Sequence, residues 1–135
     1  MRSMSLLLLT AALAACSTGP QPGRTAEAQA HLDKLLAGKS PGKPVSCLRH
    51  HRADDMVVID DNTVIFKDGR TAYRNDFDGG QCSNLGSGFY ALVTRTSGGL
   101  GLCRGDIAEI LDTSSGMTVG SCVLGDFIPY TQPRS

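Results

Sequence analysis

The sequence predicts a mainly β domain, a small antiparallel barrel or sandwich of about six strands preceded by one N-terminal helix. Three observations lead there. Short runs rich in β-branched residues recur at even spacing from Met56 to Phe127, with turn residues between them and no helical period interposed, which argues against a parallel sheet. The composition, with 16 Gly, no Trp and 5% aromatic residues, suits a turn-rich domain better than a large helical one. Four cysteines, Cys47, Cys82, Cys103 and Cys122, are spread through the same region in a number that can pair completely.

The chain is organised before that domain begins. Arg2 supplies a positive charge ahead of the apolar stretch Leu6 to Ala15, which has the length of a signal-peptide core and falls short of the roughly 20 residues that span a bilayer. Leu13, Ala14 and Ala15 directly before Cys16 resemble the bacterial lipobox, a Leu and two small residues followed by the cysteine that is lipidated and becomes the mature N-terminus. That reading makes residues 1–15 a lipoprotein signal peptide and Cys16 a lipidation site. Two or three acyl chains, at about 0.8 kcal/mol per buried methylene, anchor a protein stably to a membrane without spanning it. An ordinary secretory signal and a short membrane helix are the competing readings. Ser17 is not the Asp associated with inner-membrane retention in enteric bacteria, so the expected address is periplasm-facing, on the outer membrane of a Gram-negative cell.

Residues 16–24, ending in "STGPQPGR", carry Pro, Gly and Ser without apolar periodicity and read as a flexible tether. Residues 25–44 form a short helix and linker. Thr25 suits the N-cap, Glu27 the first turn and Gly38 the C-terminal end, while Ala28, Leu32, Leu35 and Leu36 recur at helical spacing as a stripe expected to dock on the domain. His31 reads as a surface residue of this helix.

Residues 45–130 are the β domain. "MVVID" and "TVIFK" flank a turn at Asp61-Asn62, and Asp68-Gly69 turns "TVIFK" into "RTAYR", giving a three-stranded meander. "FYALVTR", "GDIAEILD" and "MTVGSCVLGDF" supply further strands, the last two joined by the turn "TSSG". Closing the sheet into a barrel would remove exposed edges. With Cys16 lipidated, the other four cysteines are expected as two disulfides in an oxidising compartment. Of three connectivities, nested pairing of Cys47 with Cys122 and Cys82 with Cys103 is favoured, because it staples the first and last strands of a closed sheet. In the chain-entropy model such loops contribute roughly 3 to 4 kcal/mol each.

The order "CLR", "VIDDNTVIF", "YRNDF", "CSNL", "LCRGDI" and "CVLGDFIPY" resembles an uncharacterised family of small proteobacterial envelope proteins over roughly residues 45 to 130. The resemblance implies an exported β domain with paired cysteines and no assigned reaction. The pair His50-His51 is not part of that pattern, so a function resting on it would be particular to this chain.

Composition and motifs narrow the function classes. Lys plus Arg number 13; removing Arg2 with the signal leaves 12 against 13 Asp plus Glu, a mature net charge of −1, which argues against a nucleic-acid partner. His50 and His51 followed by Asp54 and Asp55 offer metal-ligand chemistry, but neighbouring side chains on a strand point to opposite faces. Asp76 and Asp78 in "NDFDGG" sit like the start of a calcium loop whose later positions are missing. Seven Asp between residues 54 and 78, against Lys67, Arg70 and Arg74, predict an acidic face. Ser87 lies in "GSG" without a nucleophile elbow. Glu109 and Asp112, an odd number apart, fall on opposite strand faces and make a poor carboxylate pair. The expectation is a lipid-anchored binding or structural module of the cell envelope, with no catalytic residues, no metal and no cofactor, and with an envelope protein as partner. The alternative is a small envelope enzyme or metal-binding protein using His50 to Asp61.

Overall fold

The computed structural model describes residues 23–49, 55–80, 82–95, 99 and 101–134. Among them are one helix and ten strands in three antiparallel sheets, arranged as a β sandwich and not as a closed barrel. Helix α1 (Ala26–Leu36) starts where the Thr25 side chain accepts a hydrogen bond from the Ala28 N–H, and it ends ahead of Gly38, whose φ of 70° is the left-handed conformation glycine adopts without cost. Strands β1 (Ser40–Pro41), β2 (Cys47–Leu48), β3 (Met56–Val58), β4 (Thr63–Asp68) and β5 (Thr71–Asp76) follow. After a 3-10 turn at Leu85–Ser87 come β6 (Tyr90–Thr94), β7 (Leu102–Cys103), β8 (Ile107–Asp112), β9 (Thr118–Val123) and β10 (Phe127–Thr131).

The five-stranded sheet runs β1-β10-β5-β4-β3, the three-stranded sheet β6-β8-β9, and β2 pairs with β7 as a separate ribbon. The meander is present as β3, β4 and β5. Its second hairpin pairs Asp68 with Thr71, leaving Gly69-Arg70 as the turn residues. Gly69 alone takes a positive φ, 55°, which is the type II′ pattern. Beyond the expected strands, β10 pairs over its whole length with β5 even though it contains Pro129; its other neighbour is only the two-residue β1.

The molecule is built in three layers. Between the two larger sheets lie Val64 and Phe66 of β4, Leu92 of β6, Ala108 and Ile110 of β8 and Phe127 of β10, with Phe66 and Phe127 meeting edge to face at 5.6 Å. On the outer face of the five-stranded sheet, Ile65 and Ala72 pack with Ile59 under Leu32 of α1, flanked by Ala28, Leu35 and Leu36. The predicted helical stripe therefore docks on the domain. Strand β4 is covered on both faces, which is why its sequence reads as an unbroken apolar run instead of alternating.

The disulfides are Cys47–Cys103 and Cys82–Cys122, not the nested pairs expected. The expectation assumed one closed sheet in which the last strand carries Cys122. Here Cys122 lies on β9, while the last strand, β10, belongs to the other sheet. Cys47 stands directly opposite Cys103 in the β2–β7 ribbon, with Cα atoms 4.0 Å apart, and buried Cys82 reaches Cys122 from the loop beneath the three-stranded sheet.

The crossing from one sheet to the other depends on Asn75. Its side chain, fully buried on β5, donates to the Gly125 carbonyl at 2.7 Å and accepts from the Gly125 N–H at 3.1 Å. A Cβ at Gly125 would stand 2.2 Å from the Asp76 carbonyl oxygen, so only glycine lets the loop come this close. Asn75→Ala strands both polar groups of Gly125 without partners and is expected to cost about 2 to 4 kcal/mol in chemical denaturation of the oxidised protein. A loss under about 0.5 kcal/mol, within the range of an ordinary surface substitution, would remove Asn75 from this role.

Candidate functional site

Arg24 is a buried cation at the root of α1. Its Nε pairs with Asp60 Oδ2 and its Nη2 donates to Thr63 Oγ1, with Gln29 Oε1 at 3.4 Å from Nη1. Asp60 uses its other oxygen to accept the N–H groups of Asn62 at 2.8 Å and Thr63 at 2.9 Å, closing the β3–β4 turn. Thr63 donates a hydrogen bond from its hydroxyl to Asp76 Oδ1 on β5, to which Arg74 also donates. Arg24, assigned by composition to the tether, is therefore part of the folded body.

Next to this knot lies a groove of about 390 Å3 bordered by Gly23, Asp61, Asn62, Asn84, Gly86 and Ser87, among others. Asp61 holds its far wall, accepting from Asn84 N–H at 3.1 Å and Gly86 N–H at 2.7 Å, while its carbonyl accepts from Cys82 N–H. Asn84 takes φ 69°, a left-handed conformation that Asn tolerates better than most residues. Ser87 donates its hydroxyl proton to the Asn84 carbonyl at 2.8 Å, so the predicted "GSG" serine serves its own turn. Thr25, Asp60, Asp61 and Ser87 of this groove each bond to backbone groups, an arrangement that shapes a surface rather than presenting a nucleophile with an adjacent base.

The second distinctive surface is the outer face of the three-stranded sheet. Its inner face fills the core, and among the described residues no helix covers the opposite one as α1 covers the other sheet. Ile107 is 60% exposed, Val123 beside it is also exposed, and Val93 and Leu111 are half-buried. Arg95 pairs with Glu109 at 3.2 Å among them. Phe89, Met117 and Val119, exposed by 74%, 67% and 55%, cluster at one end of the same sheet.

The sequence-derived candidates distribute as follows. Cys16 and the signal region, and likewise His50, His51 and Asp54, lie outside the described residues. Asp60 and Asp61 of the proposed metal segment are turn and loop acceptors. Asp76 and Asp78 separate: the first joins Thr63 and Arg74, the second an exposed pair with Arg104, which also reaches Asp126. Much of the acidic stretch thus consists of carboxylates closing turns and tying strands together. Glu109 faces Arg95, and Asp112 caps the β8–β9 turn. His31 is exposed on α1. Among the described residues, no three His, Cys, Asp or Glu side chains converge as a metal site. Sequence reasoning missed Arg24 and the Phe89–Met117 end. The available signals were a lone Arg before a helix cap and two adjacent aromatics, Phe89-Tyr90, at a strand start, where alternation sends only one inward. Against family models, curated proteins and solved structures, the chain gives no match.

Two outcomes test this geometry. Arg24→Ala leaves Asp60 without its buried partner and is expected to destabilise the domain by about 3 kcal/mol in denaturant titration. An unchanged midpoint would mean that Arg24 does not anchor the helix. At the other turn, hydrogen bonds from the Ser114 hydroxyl and from the Ser115 and Ser114 N–H groups hold the Asp112 carboxyl below its ordinary 3.8. Because the folded state has the lower value, this contribution to stability is present above the ordinary value and is lost as pH falls through the folded one. Carboxylate NMR should place the Asp112 midpoint below 3.8, and Asp112→Asn should remove that part of the acid dependence. A midpoint at the ordinary value would refute the capping account.

Proposed function

We propose that the protein is a lipid-anchored lipoprotein of the bacterial cell envelope whose β domain is a binding or structural module, not an enzyme. The observation that carries the reading is Leu13-Ala14-Ala15-Cys16, placed directly behind an apolar core of signal-peptide length and a single N-terminal arginine. Two further observations support it. The four cysteines that remain once Cys16 is lipidated form two disulfides with none left over, as suits an oxidising compartment. The uncovered apolar face around Ile107 and Val123 is the kind of surface by which such a domain meets another envelope component. No helix among the described residues is long and apolar enough to cross a membrane. The address is the periplasmic side of the outer membrane of a Gram-negative cell, argued from Ser17, and the resemblance to small proteobacterial envelope proteins belongs to the same reading.

Fractionation of cells expressing the wild type and Cys16→Ser, with intact mass of the mature chain taken with and without reductant, tests this directly. The wild type is expected in the membrane fraction, beginning at an acylated Cys16 and gaining the mass of four hydrogens on reduction, while Cys16→Ser leaves the membrane. A soluble wild type beginning at an unmodified residue would overturn the proposal.

A further inference from the structure

The two disulfides stand in different surroundings. Cys82 and Cys122 are 0% and 7% exposed and belong to the sandwich core. Cys47 and Cys103 are half-buried and are not among its residues; they lie on a ribbon that joins neither of the larger sheets. Alternation divides that ribbon: Leu48 and Leu102 turn into the core, which leaves the cysteine pair on the face away from it.

Cys47 also borders a groove of about 340 Å3, whose apolar walls are Val45, Tyr73 and Pro129 and whose charged members, Arg49 and Asp68, are opposite in sign. Cys103 is not part of that lining. A thiolate attacks a disulfide along the S–S axis, from behind the sulfur it will bond. The groove therefore gives an approach to Cys47, with Cys103 as the sulfur that leaves.

The chain around the pair is held independently of the sulfur atoms. Val45 and Phe127 exchange both backbone hydrogen bonds, at 2.8 and 2.9 Å, and the Ser46 carbonyl accepts from Arg104 N–H at 2.7 Å. The Leu124 carbonyl accepts from Gly105 N–H at 2.9 Å. Gly101 packs so closely on β2 that a Cβ there would stand 1.9 Å from the Leu48 carbonyl oxygen. Opening the bond thus frees two thiols that remain opposite one another, ready to close again.

From these observations we infer that Cys47–Cys103 is a thiol–disulfide exchange site whose substrate is a dithiol, while Cys82–Cys122 is the bond that keeps the sandwich together. One thiolate of the dithiol bonds to Cys47 Sγ; the Cys47–Cys103 bond breaks, its electron pair stays on Cys103 Sγ, and that sulfur takes up a proton. The second thiolate of the dithiol then displaces Cys47 from the mixed disulfide, and Cys47 is protonated in turn. The dithiol ends as a disulfide and this chain as two thiols, with two electrons and two protons passed between them. The inference does not depend on the anchor at Cys16, because it needs only that the four cysteines arrive oxidised.

The oxidised full-length protein, as processed by the cells that make it, is exposed without denaturant to graded dithiothreitol, quenched with iodoacetamide and mapped by peptide mass. Cys47 and Cys103 are expected to be alkylated about tenfold or more faster than Cys82 and Cys122, with the circular dichroism of the sheets retained. A brief pulse of glutathione, a monothiol that stops at the mixed disulfide, is expected to leave glutathione on Cys47 and the alkyl group on Cys103. Opening of Cys82–Cys122 first, or of all four cysteines together with loss of the fold, would overturn the inference; so would glutathione found mainly on Cys103. A soluble, unlipidated chain whose Cys47–Cys103 bond opens first would leave the exchange site standing and remove only the anchor.

Discussion

One carboxylate, Asp60, joins most of what has to be joined in this fold. It closes the β3–β4 turn through two backbone N–H groups and holds Arg24 at the root of α1; Arg24 and Thr63 then extend the connection to Asp76 on β5. A buried ion pair is costly to desolvate and adds little net stability over a well-packed apolar substitute. Its value here is positional. Helix α1 is only three turns long and makes no other ionic contact to the sheet among those described, so its apolar stripe would hold it down without fixing where it begins. The Arg24 guanidinium fixes that point against a turn which the same carboxylate shapes.

The layering follows from which faces find cover. The five-stranded sheet is buried on one face by the sandwich core and on the other by α1, and β4 accordingly carries large apolar residues facing both ways. Among the described residues, the three-stranded sheet is covered on one face. Its outer face mixes Ile107, Val93 and Leu111 with the Arg95–Glu109 pair, a composition between that of a core and that of an ordinary solvated face.

The strands that announce themselves by local pattern were legible in the sequence: β3, β4, β5, β6, β8 and β9 fall within the runs that composition marks, and Thr25 and Gly38 bound the helix as their chemistry requires. Strand β10 was not separable from β9, because the break between them, Leu124 to Asp126, is apolar at one end and short, and because Pro129 disguises a strand. The two-residue strands β1, β2 and β7 are products of tertiary pairing and have no local signal to read. The disulfide partners depended on which sheet each cysteine joins, a property of topology that spacing does not encode. Arg24 was hidden for a related reason: nothing in "QPGRT" distinguishes an arginine that reaches a turn 36 residues away from one that solvates a linker. The legible part of the site is the part fixed by local chemistry, the turn carboxylates and caps.

The interlaced disulfides carry a consequence for biogenesis. A chain emerges from its N-terminus, so Cys47 and Cys82 become available before Cys103 and Cys122, yet the first two are not partners. Each must wait for a cysteine 56 or 40 residues further along, and the loop closed by one bond contains one end of the other. Pairing in order of appearance gives the wrong molecule, so correct maturation requires either that the early thiols stay reduced until β7 and β9 have arrived or that a thiol catalyst exchanges the first bond formed. Through its connectivity, this small domain depends on when, or how reversibly, its thiols are oxidised.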